Sequence, residues 1–249
     1  MMNSYTPHII VYSKNLCRYQ NYLEVKKHKI PNVKYYEAVD TITDNGWDKW
    51  KVECIKQKLA TEGYITDIGD KRGKLGCNLS HQLLLKHFIE NGETDWLLVM
   101  EDDITVNDYT EDKINALIEV ANTNNSKYIQ LYTHPGFNQV QYGSNLLVNL
   151  DTQLFKMIPQ WGTVAYLIHK DAINDIISSF PISTNMDYIY NKNIENFNSL
   201  CLRERIFFTS GTLDSQDKSS KLGSLIWKHE GDENISKTIE SKTTEGKTI

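Results

Sequence analysis

The chain has 249 residues, of which 40% are hydrophobic and 24% charged, as is usual for a soluble globular protein. Its net charge of −5 gives no global electrostatic basis for binding nucleic acid, so a polyanionic substrate would need local cations or a metal ion. A chain of this length forms one large α/β domain or two small ones.

The cysteines and the N-terminus bear on the compartment. Cys17, Cys54, Cys77 and Cys201 share no CxxC spacing, and the first residues do not read as a secretion signal. These features predict reduced thiols in a cytoplasmic protein. No apolar run approaches the length of a membrane span, so we expect at most peripheral membrane contact.

The first elements in chain order are a strand, a helix and a second strand, which is typical of the opening of a parallel sheet. Residues 61–76 combine glycines with charges and are predicted to form a loop. Asn78 is expected to cap a helix over 79–91 that ends at Gly92. The predicted strands cover 8–12 and 33–39, and the predicted helices cover 18–27 and 47–60.

The next element carries the strongest functional signal. The apolar run 96–100 leads directly into Glu101, Asp102 and Asp103. An uninterrupted apolar run predicts a strand that is buried on both faces of a sheet. Three consecutive carboxylates at its end would repel one another unless a cation or hydrogen-bond donors lay there. Because ligands bind at the carboxyl ends of such strands, the pattern predicts a divalent metal site. The alternative is a solvated acidic turn.

Strand alternation assigns different directions to these carboxylates. In an extended chain Glu101 and Asp103 point to the same side, and Asp102 points away. Mg²⁺ and Mn²⁺ prefer oxygen ligands, so the Glu101–Asp103 pair is the predicted ligand set.

The rest of the chain is predicted to continue the α/β pattern and to end in a polar tail. Residues 230–249 contain almost nothing to bury and are expected to be disordered, which leaves a folded domain over 1–229. Helices are predicted over 110–122 and 170–180 and from about residue 185, strands over 127–132, 163–168 and 205–208, and short β-like runs at 146–148 and 154–155.

A second motif spans residues 73–81. Its glycines, Gly73 and Gly76, would allow a tight loop beside a ligand, and the following helix N-terminus would offer amides to an anion. The alternative is a plain loop and helix cap, with His81 bonded to a backbone carbonyl.

The motifs together resemble glycosyltransferase family 25, which comprises lipooligosaccharide galactosyltransferases and their collagen-modifying relatives. Three positions depart from the family pattern: Lys74 replaces an acidic residue, His169 replaces a serine, and Pro181 is displaced upstream. The matching segments, in the family's order, are 13–18, 36–40, 76–81, 98–103, 162–168 and 186–187.

The resemblance implies a GT-A type fold, a Rossmann-like mixed sheet flanked by helices, with a UDP-sugar donor and Mn²⁺ or Mg²⁺. It implies that Asp103 binds the ion directly and Glu101 binds it directly or through water, with Asp102 nearer the donor ribose or sugar. Asp217 and His229 are both candidates for a third ligand. For Arg18, an exposed position on the first helix is the alternative to donor binding. The implied nucleotide-sugar contacts are Ser13, Arg18, Ala38, Asp40, Ser80, His81 and Asp102.

Family members of this type invert the anomeric centre and need a general base, for which Asp187 is the candidate. The alternative is a first-turn carboxylate that the helix dipole favours. The implied reaction moves a hexose, galactose by resemblance, to a saccharide or glycan acceptor such as lipooligosaccharide.

Two other functions remain open from the sequence. One is a metal-dependent phosphoryl-transfer or hydrolytic enzyme, for which Asp40 and Asp151 would supply further carboxylates. The other is a degenerate, non-catalytic member that binds a sugar nucleotide or glycan.

Overall fold

The computed structural model describes residues 4–132, 147–149, 151–202 and 206–209. Their strands form a mixed eight-stranded sheet in the order β2-β1-β3-β8-β5-β9-β7-β6 and a separate β10-β4 pair. The strands are Tyr5–Val11 (β1), Lys34–Glu37 (β2), Trp96–Glu101 (β3), Ile104–Val106 (β4), Tyr128–Gln130 (β5), Leu147–Asn149 (β6), Leu154–Lys156 (β7), Ala165–His169 (β8), Leu200–Leu202 (β9) and Phe207–Thr209 (β10).

Helices pack against the sheet and form two apolar core layers with it. One layer packs residues of α2, α3, α4, α6 and α7 against the sheet, and the other packs α1 and α5. The helices are Leu16–His28 (α1), Asp44–Lys56 (α2), Glu62–Ile68 (α3), Arg72–Asn91 (α4), Glu111–Thr123 (α5), Lys170–Ser178 (α6) and Met186–Lys192 (α7).

Strand β3 is buried on both faces, as its apolar run predicts. Leu97 and Val99 lie in one core layer, and Leu98 and Met100 lie in the other. The strand pairs in parallel with β1 and antiparallel with β8. The end of β3 and the start of β8 therefore meet at the same edge of the sheet.

The mixed α/β fold with a helix-flanked sheet is confirmed. The parallel opening is also confirmed, since β1 pairs in parallel with both β2 and β3. The structure adds strands β4 and β9, which the sequence pattern did not predict. Within the described ranges no helix has both the length and the apolar character needed to cross a membrane.

The loop predicted over 61–76 is wrong. Thr61 caps α3, which buries Tyr64 and Ile68, and α4 already begins at Arg72. Here tertiary packing of apolar residues outweighs the low helix propensity of glycine. Asn78 is consequently a buried residue inside α4 and does not cap that helix.

Some predicted features lie outside the described residues. These are the candidate ligands Asp217 and His229, the polar tail 230–249, and the first residues of the predicted runs 146–148 and 205–208.

Candidate active site

A cleft of about 550 Å³ that opens to solvent lies where β1 and β3 end against α4. Tyr12 and Thr41 also line it. Five of the predicted donor contacts and one predicted metal ligand meet here: Arg18, Ala38, Ser80, His81, Asp102 and Glu101.

Helix α4 packs closely on the segment after β2. A Cβ atom at Gly76 would lie 2.5 Å from the Thr41 hydroxyl and 2.9 Å from the Val39 carbonyl oxygen. One turn later, the Ser80 hydroxyl accepts a hydrogen bond of 2.8 Å from the Val39 amide. Gly76 and Ser80 therefore fix the wall of the cleft that Ala38 and Thr41 help to form.

Asn78 connects the same helix to α7. Its side-chain oxygen accepts a 2.9 Å hydrogen bond from the Met186 amide, at the start of α7. The Asn185 side chain makes no cap bond of its own and accepts a hydrogen bond from Tyr64 at 2.7 Å. Asn78 thus satisfies an N-terminal amide of α7, the helix that carries Asp187.

Arg18 binds the second and third carboxylates of the acidic run. Its guanidinium contacts Asp102 and lies 3.4 Å from Asp103, and all three side chains are buried. Asp102 also accepts a 2.7 Å hydrogen bond from the Tyr12 amide. The predicted arrangement, in which Asp102 points away from Asp103, is wrong because β3 ends at Glu101 and strand alternation stops there.

Glu101 lies in a different environment, between α4 and the start of β8. Its carboxylate accepts a hydrogen bond of 2.7 Å from Thr163 and lies 3.3 Å from His81 Nε2. The Cys77 thiol lies 3.9 Å from the same oxygen. Although burial opposes ionisation, the hydrogen bonds from His81 and Thr163 lower the pKa of Glu101.

Asp187 lies within electrostatic range of Glu101. Burial, and then the negative charge of Glu101, raise the pKa of Asp187 to about 6, while His81, the Gly162 amide and Lys74 oppose the rise. Its Oδ1 is buried and has no hydrogen-bond partner among the described residues. Asp187 is therefore a carboxylate with a free acceptor position and a pKa near neutrality.

The donor set fits a divalent cation. Glu101, Asp102, Asp103 and Asp187 lie near one another, and burial and mutual repulsion raise the pKa of Asp103 as well as that of Asp187. Arg18 supplies one positive charge to this group. The excess of buried carboxylate oxygen is the environment that Mn²⁺ or Mg²⁺ favours. A second set, Cys77, His81 and Glu101, has ligand atoms within 4.8 Å of one another and would suit zinc better.

Two predicted donor contacts lie beside the cleft and do not line it. The Ser13 hydroxyl donates to Glu37 at 2.8 Å. Asp40 is bound by Lys14 at 2.6 Å and by Thr43. Despite partial burial, these hydrogen bonds lower the pKa of Asp40 well below its usual range.

Sequence reasoning did not assign a site role to Cys77, Thr163 or Tyr166, although it placed all three within family-like segments. Their type is ordinary for a helix or a strand, and only the pairing of β3 with β8 brings Thr163 to Glu101. The departure at His169 is conservative in structure, because its ring caps α6 by accepting from the Asp171 amide.

Comparison with known proteins identifies one family and several similar solved structures, of which two are described here. Residues 18–190, more than half of the chain, match the model of glycosyltransferase family 25 (LPS biosynthesis protein). No curated protein sequence matches the chain.

Among solved structures, a protein from STIV is similar at 10% identity and a TM-score of 0.42 over 82% of each chain. A glycosyltransferase involved in glycosylation of the major capsid of PBCV-1 is similar at 13% identity and a TM-score of 0.46, over 87% of this chain and 94% of that one. At these TM-scores neither likeness bears on the function.

Proposed function

Since the chain belongs to glycosyltransferase family 25, we propose that it is a metal-dependent, inverting transferase with a GT-A type fold. It moves a hexose, galactose by family resemblance, from a UDP-sugar to a saccharide or glycan acceptor such as lipooligosaccharide. We place its action in the cytoplasm, with at most peripheral membrane contact.

The observation that carries the proposal is the Asp187 carboxylate, which accepts a hydrogen bond from the Gly162 amide, next to the Thr163 that donates to Glu101. An inverting transfer needs a carboxylate that is ionised near neutral pH and close enough to take the acceptor hydroxyl proton. Asp187 has a pKa of about 6 and an unsatisfied oxygen, so an acceptor hydroxyl would complete its hydrogen bonding.

The other side of the cleft would hold the donor. Arg18, Asp102, Tyr12 and Ala38 all line the cleft, so a nucleotide would meet both a cation and hydrogen-bonding groups. Glu101 and Asp103 would hold the ion, with a third ligand at Asp217 or His229. When bound, such an ion stabilises the negative charge that develops on a leaving diphosphate.

The acceptor would approach from the side of Trp161 and Tyr188. These residues adjoin Gly162 and Asp187 in the chain, and their side chains are 55% and 51% exposed. Aromatic faces of this kind pack well against the apolar face of a sugar ring.

The phosphoryl-transfer alternative receives less support. It needs further carboxylates close to Glu101, but Asp40 is held by Lys14 and Thr43, and Asp151 is exposed at a turn. A non-catalytic binding role has no use for a carboxylate whose pKa is raised by burial and by the charge of Glu101.

Donor hydrolysis tests the proposal. The purified protein is incubated with Mn²⁺ and a panel of UDP-sugars, with and without a chelator, and released UDP is measured. We expect chelator-sensitive release from one UDP-hexose.

Release that is unaffected by the chelator would remove the metal from the proposal. If no donor is hydrolysed and UDP does not bind in a calorimetric titration, the transferase proposal itself fails.

A further inference from the structure

A continuous chain of hydrogen-bonding side chains runs from the core to Glu101. The Tyr190 hydroxyl donates to the Tyr166 hydroxyl at 2.8 Å, and Tyr166 lies 2.8 Å from His81 Nδ1. His81 Nε2 then lies 3.3 Å from the Glu101 carboxylate. Tyr190, Tyr166 and His81 are all buried, so water does not compete for these bonds.

The direction of these hydrogen bonds determines which imidazole nitrogen of His81 carries the proton. Tyr190 donates to Tyr166, so the single hydroxyl proton of Tyr166 is available to His81 Nδ1. A ring that accepts at Nδ1 carries its proton on Nε2. That proton is directed at Glu101. His81 therefore presents an N–H donor at Nε2 and has no lone pair there for binding an ion.

We propose that His81 is a positioning residue that holds the Glu101 carboxylate in one orientation and is itself held by Tyr166 and Tyr190. The proposal rests on the proposed function, since it gives Glu101 a fixed direction toward the bound ion. It also changes the expected role of His81. The resemblance implies a contact with the nucleotide sugar, whereas here His81 orients a metal ligand.

Two independent donors make this orientation specific. His81 approaches Glu101 from α4, and Thr163 donates to the same carboxylate oxygen, Oε1, from the chain that enters β8. Bonds from two elements of the fold restrict rotation of the carboxylate, and among the described residues no hydrogen bond is made to its other oxygen, Oε2. Partners that orient a metal ligand in this way typically change metal affinity about 10–100-fold when they are removed.

The same atoms allow a competing assignment. Cys77, His81 and Glu101 could bind zinc directly, because their ligand atoms lie within 4.8 Å of one another. The hydrogen-bond chain favours the positioning role, since both ring nitrogens of His81 already have partners.

The test compares two variants. One lacks a hydroxyl of the hydrogen-bond chain, and the other lacks a nearby hydroxyl outside it. Tyr166→Phe deletes the donor to His81. Tyr128→Phe is the control, because the Tyr128 ring stacks on Tyr166 and Tyr190 while its hydroxyl donates to Gln130. Thermal unfolding of both variants verifies that they remain folded.

Two readouts do not depend on turnover. Nitrogen NMR of His81 in the metal-free wild-type protein should show the neutral Nε2–H tautomer, and Tyr166→Phe should lose that preference. Titration calorimetry with Mn²⁺ should show affinity about 10–100-fold weaker for Tyr166→Phe and unchanged for Tyr128→Phe.

A wild-type His81 with its proton on Nδ1 would overturn the proposal. So would equal Mn²⁺ affinity in Tyr166→Phe and wild type. Stoichiometric zinc binding that Cys77→Ser abolishes would make His81 a ligand instead. If wild type binds no Mn²⁺, the metal part of the proposed function fails, and the tautomer alone decides whether the hydrogen-bond chain exists.

Discussion

Glu101 and the pair Asp102–Asp103 are adjacent in the chain but lie in two different environments. Asp102 and Asp103 are buried against Arg18, which neutralises part of their charge. Glu101 instead accepts hydrogen bonds from Thr163 and His81 and faces a further carboxylate. Asp102 and Asp103 therefore have a cation supplied by the fold, whereas Glu101 is held by hydrogen-bond donors.

This difference shows that a run of like charges does not act as one unit. The end of β3 at Glu101 separates the two environments, because the chain turns immediately afterwards. Arg18 is expected to contribute most to stability, because it neutralises two buried carboxylates, and Asp187 most to turnover, as the proposed base. The predictions below test that division.

The largest effect is expected from Asp187→Asn. Loss of a general base typically lowers turnover about 10²–10⁴-fold, whereas the fold and UDP binding should be retained. Turnover is measured under saturating donor and acceptor. Asp171→Asn is the control, because Asp171 is also a first-turn carboxylate but is exposed on α6. Equal turnover of both variants would contradict the assignment of the base.

On the other side, Arg18→Met is expected to destabilise the protein by about 3–5 kcal/mol, because it leaves two carboxylates buried without their cation. Denaturant unfolding measures the change. Lys56→Met, which removes a largely exposed ion pair with Glu53, should leave the unfolding free energy almost unchanged. An unfolding free energy of Arg18→Met equal to that of wild type would contradict this role of Arg18. The double variant with Asp102→Asn should recover part of the loss.

The cleft wall that Ala38 and Thr41 help to form depends on the close approach at Gly76. Gly76→Ala should destabilise by about 1–3 kcal/mol, because its Cβ would overlap the Thr41 hydroxyl and the Val39 carbonyl. Gly63→Ala is the matched substitution. It also lies in a helix, but a Cβ there meets nothing within 4 Å, so it should stabilise by about 0.5–1 kcal/mol. Changes of the same sign in both variants would count against this packing.

The smallest effect concerns pH. A base must be ionised to accept a proton, and Asp187 has a pKa of about 6. The rate should therefore be nearly constant above that pH and fall about tenfold for each unit below it. A pH profile of kcat/KM measures this directly. A profile that keeps a level rate down to pH 4 would exclude Asp187 as the titrating base.

The sequence predicts the frame of the site better than its supporting contacts. The apolar run before Glu101 identifies β3, since few other structures bury such a run. Arg18 and Asp102 are 84 positions apart, and no local pattern indicates that they pair. The glycines of the segment 61–76 suggested a loop, although one of them is needed for close packing of a helix. Threonine and tyrosine are common in strands, so the types of Thr163 and Tyr166 do not indicate their contacts with Glu101 and His81.

The opposite directions of β3 and β8 have an evolutionary consequence. The wall near Arg18 and Ala38 comes from connections that follow β1 and β2, whereas the region of Thr163 and Asp187 comes from segments before β8 and at the start of α7. Surface connections change more readily than the strands that they join. In the proposed reaction, donor and acceptor would contact separately encoded segments, so mutation of one segment would alter the preference for one substrate while preserving recognition of the other.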